Sequence, residues 1–417
     1  MVSYLGDAIN MTPAKMTSNG FSYGSWNDAF FMPRPCMLKY DGTFDYYLSR
    51  YDYSKKTDGT PSDISNSNYD GNAMMQWPKI WFKFVQGAAE GEGEFWVSDT
   101  QRDESYHCWC NINANNEEIP YFYTAIYDGT GTSRLRSLSG VLLTEENGSG
   151  NTDIQTLISR AIANNTYIPS SENYVKEWYT DVWSDRILIN SLLILMGKSL
   201  DLQSTYGKGM TYGSTFGKTE KEQYETGTLN DKGLFYGDLT RNDRPVKIFG
   251  MENLWGCCSR SVAGNVIDSN NNVKIKMTRG TADGSTSDDY NLDGNGYINT
   301  SVEIPSEDNT TIFGAIKKMS FGFYGYLPIE ITRYNASETD IYTKYYCDEL
   351  FNCLVDDLSY YNRYLRIGSS VVSKDQAIES RSSDGNGFNM LYTPYNMGLP
   401  TSTKFMFSTT LSCKPYL

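Results

Sequence analysis

The chain has 417 residues, a formal net charge of −14 and an aromatic fraction of 14%, to which 33 tyrosines contribute most. So acidic a chain repels phosphate backbones and has no run of five or six basic residues, which argues against nucleic-acid binding. Its longest apolar run, Leu192–Met196, is too short to span a bilayer, and the N-terminus lacks the basic and apolar regions of a secretory signal. We therefore predict neither membrane insertion nor a conventional export route.

The composition, with 36 glycines and many Asn, Ser and Thr residues, is typical of a sheet- and loop-rich protein. Residues 1–70 alternate short aromatic runs with polar, turn-rich stretches, which predicts a loosely structured arm or a small β module. From Trp77 onward, WPKIWFKF, GEFWVSD, YHCWCNIN and IPYFYTAIYDG look like successive strands separated by polar turns. The predicted class is α+β, with irregular antiparallel sheets and long loops.

Two segments are predicted to be helices. In NTDIQTLISRAIANN, Thr152 is a good N-cap with Gln155 three residues on, and the apolar residues that follow recur with the period of one buried helical face. In WSDRILINSLLILMGK, Asp185 lies in the first turn and Gly197 at the end, as the helix dipole favours. Because the run Leu192–Met196 is apolar on every side, we expect this second helix to be the buried centre of the domain.

Residues that could support catalysis are few. The single histidine, His107, would have to serve any Ser-His-Asp or Cys-His site, and its strand-like surroundings favour a structural role. With Cys108 and Cys110 it would supply part of a metal cluster, but no fourth ligand lies nearby. None of the eight cysteines forms a CxxC pair, and most are expected to be reduced and buried. We therefore predict no enzyme and no cofactor.

The stretch NLDGNGYIN offers a calcium alternative. Asn291, Asp293 and Asn295 stand at alternating positions, with Gly296 sixth, as in an EF-hand loop. The twelfth position, however, is Val302 where a bidentate acid is needed, and a Gly-Asn-Gly turn explains the same residues. A pair of carboxylates for glycoside hydrolysis also stays open, because the 50 acidic residues leave many pairs whose proximity the sequence does not show.

The order of the motifs resembles a known fold. Aromatic strands, a capped helix and a buried helix precede GTLNDKGLFYG, GMENLWG, LRIG and a terminal LSCKP. This order resembles the C-type lectin fold in its formylglycine-generating-enzyme-like branch. More narrowly, it resembles the tropism or tail-fibre proteins of gut bacteriophages, many of them targets of diversity-generating retroelements. The resemblance covers about residues 77–417. It implies a lectin-like domain over residues 71–417, with its core at about 136–417, and leaves residues 1–70 for attachment to the virion.

In that fold the GMENLWG element is structural. The resemblance implies that Trp255 fills the core, that the flanking glycines permit a tight backbone path, and that the acid and amide between them bond local backbone groups. The structural residues are thus Gly250, Glu252, Asn253, Trp255 and Gly256. The formylglycine-generating relatives hold copper with a cysteine pair, but the surroundings of Cys347 and Cys353 do not match that site.

The ligand-binding residues are predicted from the C-terminal segments SYYNRYLRIG and GFNMLYTPYNMG. Rigid aromatic rings supply contact area and Arg and Asn supply directional bonds, although packing of the last sheet is the alternative for any one tyrosine. In retroelement-diversified relatives the variable residues lie in this region, and Leu365, Arg366 and Gly368 match part of their Leu-Arg-x-Gly-Gly pattern. The predicted set is Tyr360, Tyr361, Asn362, Arg363, Tyr364, Arg366, Tyr392, Tyr395 and Asn396.

These features together predict a non-enzymatic receptor-binding protein of a phage virion, a tail or head fibre. Its lectin-like surface would bind a glycan or protein of the bacterial cell surface. The resemblance implies a homo-oligomer, often a trimer in the family, whose avidity strengthens weak single contacts. It also implies other virion proteins as partners, synthesis in the host cytoplasm and release by lysis. Two alternatives stay open: a purely structural virion or adaptor protein, and a glycan-processing enzyme.

Overall fold

The computed structural model describes residues 1–143, 154–165, 167–168, 173–174, 177–209, 224–241, 244–255, 259–268, 272–280, 290–291, 294–303, 312–333, 346–353, 363–367, 388–394 and 407–416. Within these ranges the protein is rich in sheet, has three α-helices, and pairs its strands mostly antiparallel. The α+β class is therefore confirmed at this level. Among the described residues, none of the helices combines the length and the apolar character that a bilayer span requires.

The helices are α1 (Ile154–Ile162), α2 (Trp183–Gly197) and α3 (Leu202–Tyr206), and single 3-10 turns span Gly6–Ala8 and Trp109–Asn111. The strands are numbered in chain order. The first thirteen, β1 to β13, are Lys15–Thr17, Gly20–Ser22, Arg34–Lys39, Phe44–Tyr47, Gly71–Pro78, Trp81–Gln86, Gly93–Ser98, Tyr121–Ala125, Leu142–Leu143, Tyr167–Ile168, Asn173–Tyr174, Trp178–Thr180 and Tyr224–Glu225. The second thirteen, β14 to β26, are Lys247–Ile248, Met251–Glu252, Ser259–Ser261, Asn265–Ile267, Asn272–Ile275, Ile298–Glu303, Ile312–Gly322, Gly325–Arg333, Tyr346–Cys353, Arg363–Ile367, Phe388–Pro394, Phe407–Ser408 and Leu411–Cys413.

A six-stranded antiparallel sheet has the strand order β12-β26-β8-β5-β3-β4. β3 and β5 pair along their length, from Arg34 opposite Gln76 onward, so this sheet crosses the domain boundary predicted at residue 70. The late strand β26 lies between β8 and β12, with Ser412 opposite both Thr124 and Tyr179. The strand nearest the end of the chain thus joins the same sheet as strands from its first third.

A ten-stranded sheet lies in the C-terminal half of the chain, with the order β19-β18-β17-β23-β24-β22-β20-β21; β16 also pairs with β23, and β25 pairs with β16. Two of its pairings, β22 with β24 and β16 with β25, are parallel. The long β20–β21 hairpin also contacts the β6–β7 hairpin, where Phe321 N donates to Gln86 Oε1 at 3.0 Å and Lys318 pairs with Glu90 at 3.0 Å. The N-terminal part of the chain therefore supports the second sheet.

Helix α2 is the buried centre of the molecule, as its apolar run predicts. Every residue from Trp183 to Leu193 is buried, and so is Met196. The Trp183 indole donates to the Tyr324 carbonyl at 2.6 Å, which ties the helix to the β20–β21 hairpin. Burying an all-round apolar helix is favourable because each large aliphatic side chain contributes about 1.5–3 kcal/mol relative to exposure.

The segment YHCWCNIN is not the strand that its alternation predicts. His107 pairs with Phe82 and Ile112 pairs with Glu118, but only as isolated bridges, and a 3-10 turn over Trp109–Asn111 separates them. Asn113 Oδ1 then accepts the backbone N–H of Glu117 at 3.0 Å. Short amide side chains compete with a β ladder for backbone groups, which explains why the strand is lost here. Consequently the two cysteines of this segment do not lie on one face of a strand.

Candidate functional site

The predicted ligand-binding residues lie partly on two neighbouring strands. Arg363, Tyr364 and Arg366 are on β23, and Tyr392 is on β24. β23 and β24 pair antiparallel with Leu365 opposite Tyr392, so the backbone brings two segments that are distant in sequence side by side. The other five predicted residues lie outside the described residues: Tyr360, Tyr361, Asn362, Tyr395 and Asn396.

Strand β23 has a second pair of neighbours. On the side away from β24 it pairs with β16, where Arg260 lies opposite Ile367, and with β17, where Ile267 lies opposite Arg363. β23 is therefore an interior strand of the ten-stranded sheet. An interior strand has its backbone groups satisfied on both sides, so its position depends on the strands that flank it.

Arg260 anchors the flanking strand β16 through a buried ion pair with Asp128. Its Nε donates to Asp128 Oδ1 at 3.0 Å, and its Nη2 lies 2.8 Å from the same oxygen. Nη2 also donates to the Glu252 carbonyl at 2.7 Å, and Asn253 Nδ2 donates to the second oxygen of Asp128 at 3.3 Å. A buried pair is stable only when such additional bonds offset desolvation. This network connects β16 to the turn after β8 and to GMENLWG.

The GMENLWG element turns tightly between β14 and β15. Phe249 and Gly250 form the turn with positive φ angles of 49° and 82°. A Cβ at Gly250 would lie 2.6 Å from Met75 Sδ and closer still to the Tyr53 hydroxyl, so only glycine fits without displacement. The buried Trp255 indole donates to the Gly207 carbonyl at 3.0 Å. Gly256, the last predicted structural residue, lies outside the described part of the chain.

Glu252 interlocks GMENLWG with the preceding GTLNDKG motif. Its two carboxylate oxygens accept the backbone N–H groups of Gly227 and Leu229 at 2.8 and 2.9 Å. Beside it, Lys247 is fully buried, donates to the Leu229 carbonyl at 2.7 Å, and lies 3.5 Å from the centre of the Tyr53 ring. Burial lowers the pKa of Lys247 to about 7, although the Glu252 charge acts in the opposite direction. Both side chains are closed to solvent, and their bonds tie the GMENLWG turn to the backbone of the preceding motif.

Sequence reasoning missed a small cavity at the end of β12. It has room of about 10 Å³ for the centre of a water-sized sphere. Its lining residues are Ala114, Glu177, Tyr179, Val182, Arg279, Tyr290, Ser412 and Lys414. The lining residues come from separate segments of the chain and form no local motif, so no pattern in the sequence predicts the cavity. It is called the Glu177 cavity below.

The residues considered for metal binding make other contacts. Asn291 Nδ2 donates to the Asn295 carbonyl at 2.8 Å, and Asn291 Oδ1 accepts the Asn295 N–H at 3.0 Å, which closes a turn. Asp293 lies outside the described residues. The His107 ring stacks on Trp109 with 4.4 Å between ring centres. Where the structure describes the chain, it contains no group of three or more His, Cys, Asp or Glu residues that could hold a metal ion.

Comparison with known proteins assigns no family. The chain matches no protein-family model, and no curated protein is significantly similar to it. Function is therefore inferred from the chain's own residues and topology.

Proposed function

We propose that this protein is a non-enzymatic receptor-binding component of a phage virion, a tail or head fibre with a C-type-lectin-like domain. Its binding surface would be formed by β23, β24 and the segments that adjoin them, and its ligand would be a glycan or protein of the bacterial surface. The observation that carries the proposal is the position of β26, which pairs with both β8 and β12. The chain between β8 and β26 is thereby held at both ends in one sheet.

The pairing of β26 with β8 and β12 suits a binding protein because the strands of the scaffold are then distinct from the segments that form the proposed binding surface. Binding residues in proteins are concentrated on segments that a rigid framework positions, and such segments tolerate sequence change. The Tyr-rich segments lie between the two closing strands, and Arg260 ties the strand next to β23 to the framework through Asp128. Substitutions in the Tyr-rich segments would then alter recognition without opening the domain.

The residue types of these segments favour recognition over catalysis. Tyr and Arg are enriched among residues that dominate binding energy, and Asn adds adaptable hydrogen bonds. We propose that the protein acts as a homo-oligomer, a trimer, so that several weak contacts combine. Attachment to other virion proteins is assigned to residues 1–70, where Leu5 and Ile9 are exposed apolar side chains.

Adsorption to susceptible bacteria tests the proposed surface. The double variant Tyr361→Ala/Tyr364→Ala should lose cell binding, and should no longer block infection, while its melting temperature stays unchanged. The matched control is Tyr51→Ala/Tyr121→Ala, which removes two exposed tyrosines, 76% and 43% exposed, outside the predicted surface. The control should bind like the unaltered protein. Full adsorption by the first variant would rule out this surface.

Further assays of the same purified protein distinguish the two alternative functions. Purified protein that co-assembles with capsid or tail proteins but never binds cells would support the structural adaptor. Turnover of host polysaccharide that disappears on changing one acidic residue would support the enzyme.

A further inference from the structure

Glu177 contacts the last residues of the chain at two points. It precedes β12 and is only 5% exposed. Its backbone carbonyl accepts the Lys414 N–H at 3.0 Å, and its side-chain Oε1 accepts the Tyr416 N–H at 2.9 Å. These two bonds continue the β12–β26 pairing beyond Cys413, so Glu177 holds the chain where β26 ends.

The second carboxyl oxygen of Glu177 faces a tightly packed backbone. A Cβ at Gly42, in the turn between β3 and β4, would lie 2.6 Å from the Glu177 Cδ. No described group forms a hydrogen bond to Glu177 Oε2. An ionised carboxylate in this position would therefore lack the hydrogen bonds that compensate for lost hydration, whereas a neutral carboxyl costs far less to bury.

The cations near the Glu177 cavity are engaged elsewhere. Lys414 Nζ donates to Asp185 Oδ1 at 2.9 Å, and Ser412 Oγ donates to the other oxygen of Asp185 at 3.0 Å. The Arg279 guanidinium donates to the Trp178 carbonyl at 3.3 Å. The ionisable groups that face Glu177 from the surrounding elements are Asp41, Tyr179, Arg279, Tyr290, Cys413, Lys414 and Tyr416.

The size of the Glu177 cavity limits what can compensate an ionised carboxylate. About 10 Å³ is the space needed for the centre of a single water. One water satisfies a protonated carboxyl group, but it does not replace the hydration shell of a carboxylate. Ionisation therefore requires the surrounding contacts to open, and the hydrogen bonds that Glu177 itself makes are those to Lys414 and Tyr416.

We propose that Glu177 is a proton-operated clasp for the C-terminal strand, closed while its carboxyl group is protonated and loosened when that group ionises. Opening releases the proton to solvent and detaches residues 414–416, then β26, from β12. Burial raises the pKa of Glu177 to about 8, with the Tyr416 N–H acting against this rise and the charge of Asp41 adding to it. The clasp is thus closed at neutral pH and opens in mildly alkaline solution.

The direction of the pH effect follows from proton binding. An ordinary glutamate ionises near 4.5, so between about pH 4.5 and pH 8 the closed state binds more protons than the open state. Raising the pH through this interval therefore weakens the closed state, and above it the effect levels off. From pH 6 to pH 9 the protection of the strand should fall roughly tenfold to a hundredfold.

Hydrogen exchange of the full chain, measured on peptides that cover residues 411–416 and corrected for the intrinsic pH dependence of exchange, tests the clasp. The unaltered protein should lose protection from pH 6 to pH 9. Glu177→Gln keeps an acceptor for the Tyr416 N–H but does not ionise, so its protection should stay constant. Asp41→Asn should retain the loss but shift it to lower pH, because removing the neighbouring negative charge lowers the pKa of Glu177.

A pH-independent profile in the unaltered protein would overturn the proposal, whatever the variants do. An equal loss of protection in Glu177→Gln and in the unaltered protein would overturn it as well, because another group would then be responsible. If Glu177→Gln does not fold, the pH dependence of protection in the unaltered protein and its shift in Asp41→Asn still test the proposal.

Discussion

Arg260 and Asp128 form an ion pair at 2.8 Å with side chains that are only 2% and 1% exposed. The two residues are far apart in sequence, and the bond joins the strand beside β23 to the turn after β8. The guanidinium also donates to the Glu252 carbonyl, so one cation connects three segments. The stability of the scaffold and the position of the predicted binding strand therefore depend on the same contact.

Asp128→Asn should destabilise the protein strongly. It leaves the Arg260 charge buried without its counter-ion, which typically costs about 3–5 kcal/mol of unfolding free energy. The matched control is Asp231→Asn, which breaks a pair with Lys232 whose side chains are 64% and 38% exposed. The control should cost less than about 1 kcal/mol. Denaturant unfolding curves measure both, and similar losses in the two variants would contradict the role given to Asp128.

Gly250→Ala should destabilise the protein more than Gly59→Ala. Both glycines have positive φ, 82° and 87°, so each substitution carries a backbone cost of about 1–2 kcal/mol. At Gly59 an added Cβ meets nothing within 4 Å, whereas at Gly250 it meets Met75 and Tyr53. Overpacking adds about 1–3 kcal/mol. Thermal unfolding of both variants isolates this packing contribution, and equal melting temperatures would refute it.

Lys247→Met should change the pH dependence of stability. Burial lowers the pKa of Lys247 to about 7 from its ordinary 10.5, so between these values the unfolded chain binds more protons than the folded one. The folded state of the unaltered protein therefore gains stability as the pH rises from about 7 to 10.5, and the variant lacks this gain. The difference in unfolding free energy between the two proteins is measured at pH 7 and pH 10. A difference that is the same at both values would contradict the prediction.

The buried thiols should resist alkylation in the native protein. Cys36, Cys110 and Cys413 are free and fully buried, and burial raises the pKa of each. Since the thiolate is the reactive form, iodoacetamide should label these residues only after unfolding. Peptide mass spectrometry before and after denaturation gives the labelled fraction at each position. Labelling of Cys413 in native protein at neutral pH would contradict the packing of β26.

Helix α2 was predictable because its signal is local. The apolar run and the acid in its first turn lie within one short segment, and the observed helix, Trp183–Gly197, begins and ends where they indicate. YHCWCNIN also carries a local pattern, but side-chain bonds such as that of Asn113 to Glu117 replace the strand there. Local periodicity thus predicts an element only where no nearby polar side chain competes for its backbone.

The sequence by itself determined the composition class and the buried helix, because periodicity and residue type act over a few neighbouring positions, whereas the tight turn at Gly250 is implied only by the family resemblance. Only the tertiary structure decided that Arg260 meets Asp128, that Glu177 meets Tyr416, and that β26 closes the sheet of β8. These contacts join residues more than a hundred positions apart. Their pairing depends on how the whole chain packs around α2, and no local sequence pattern predicts this pairing.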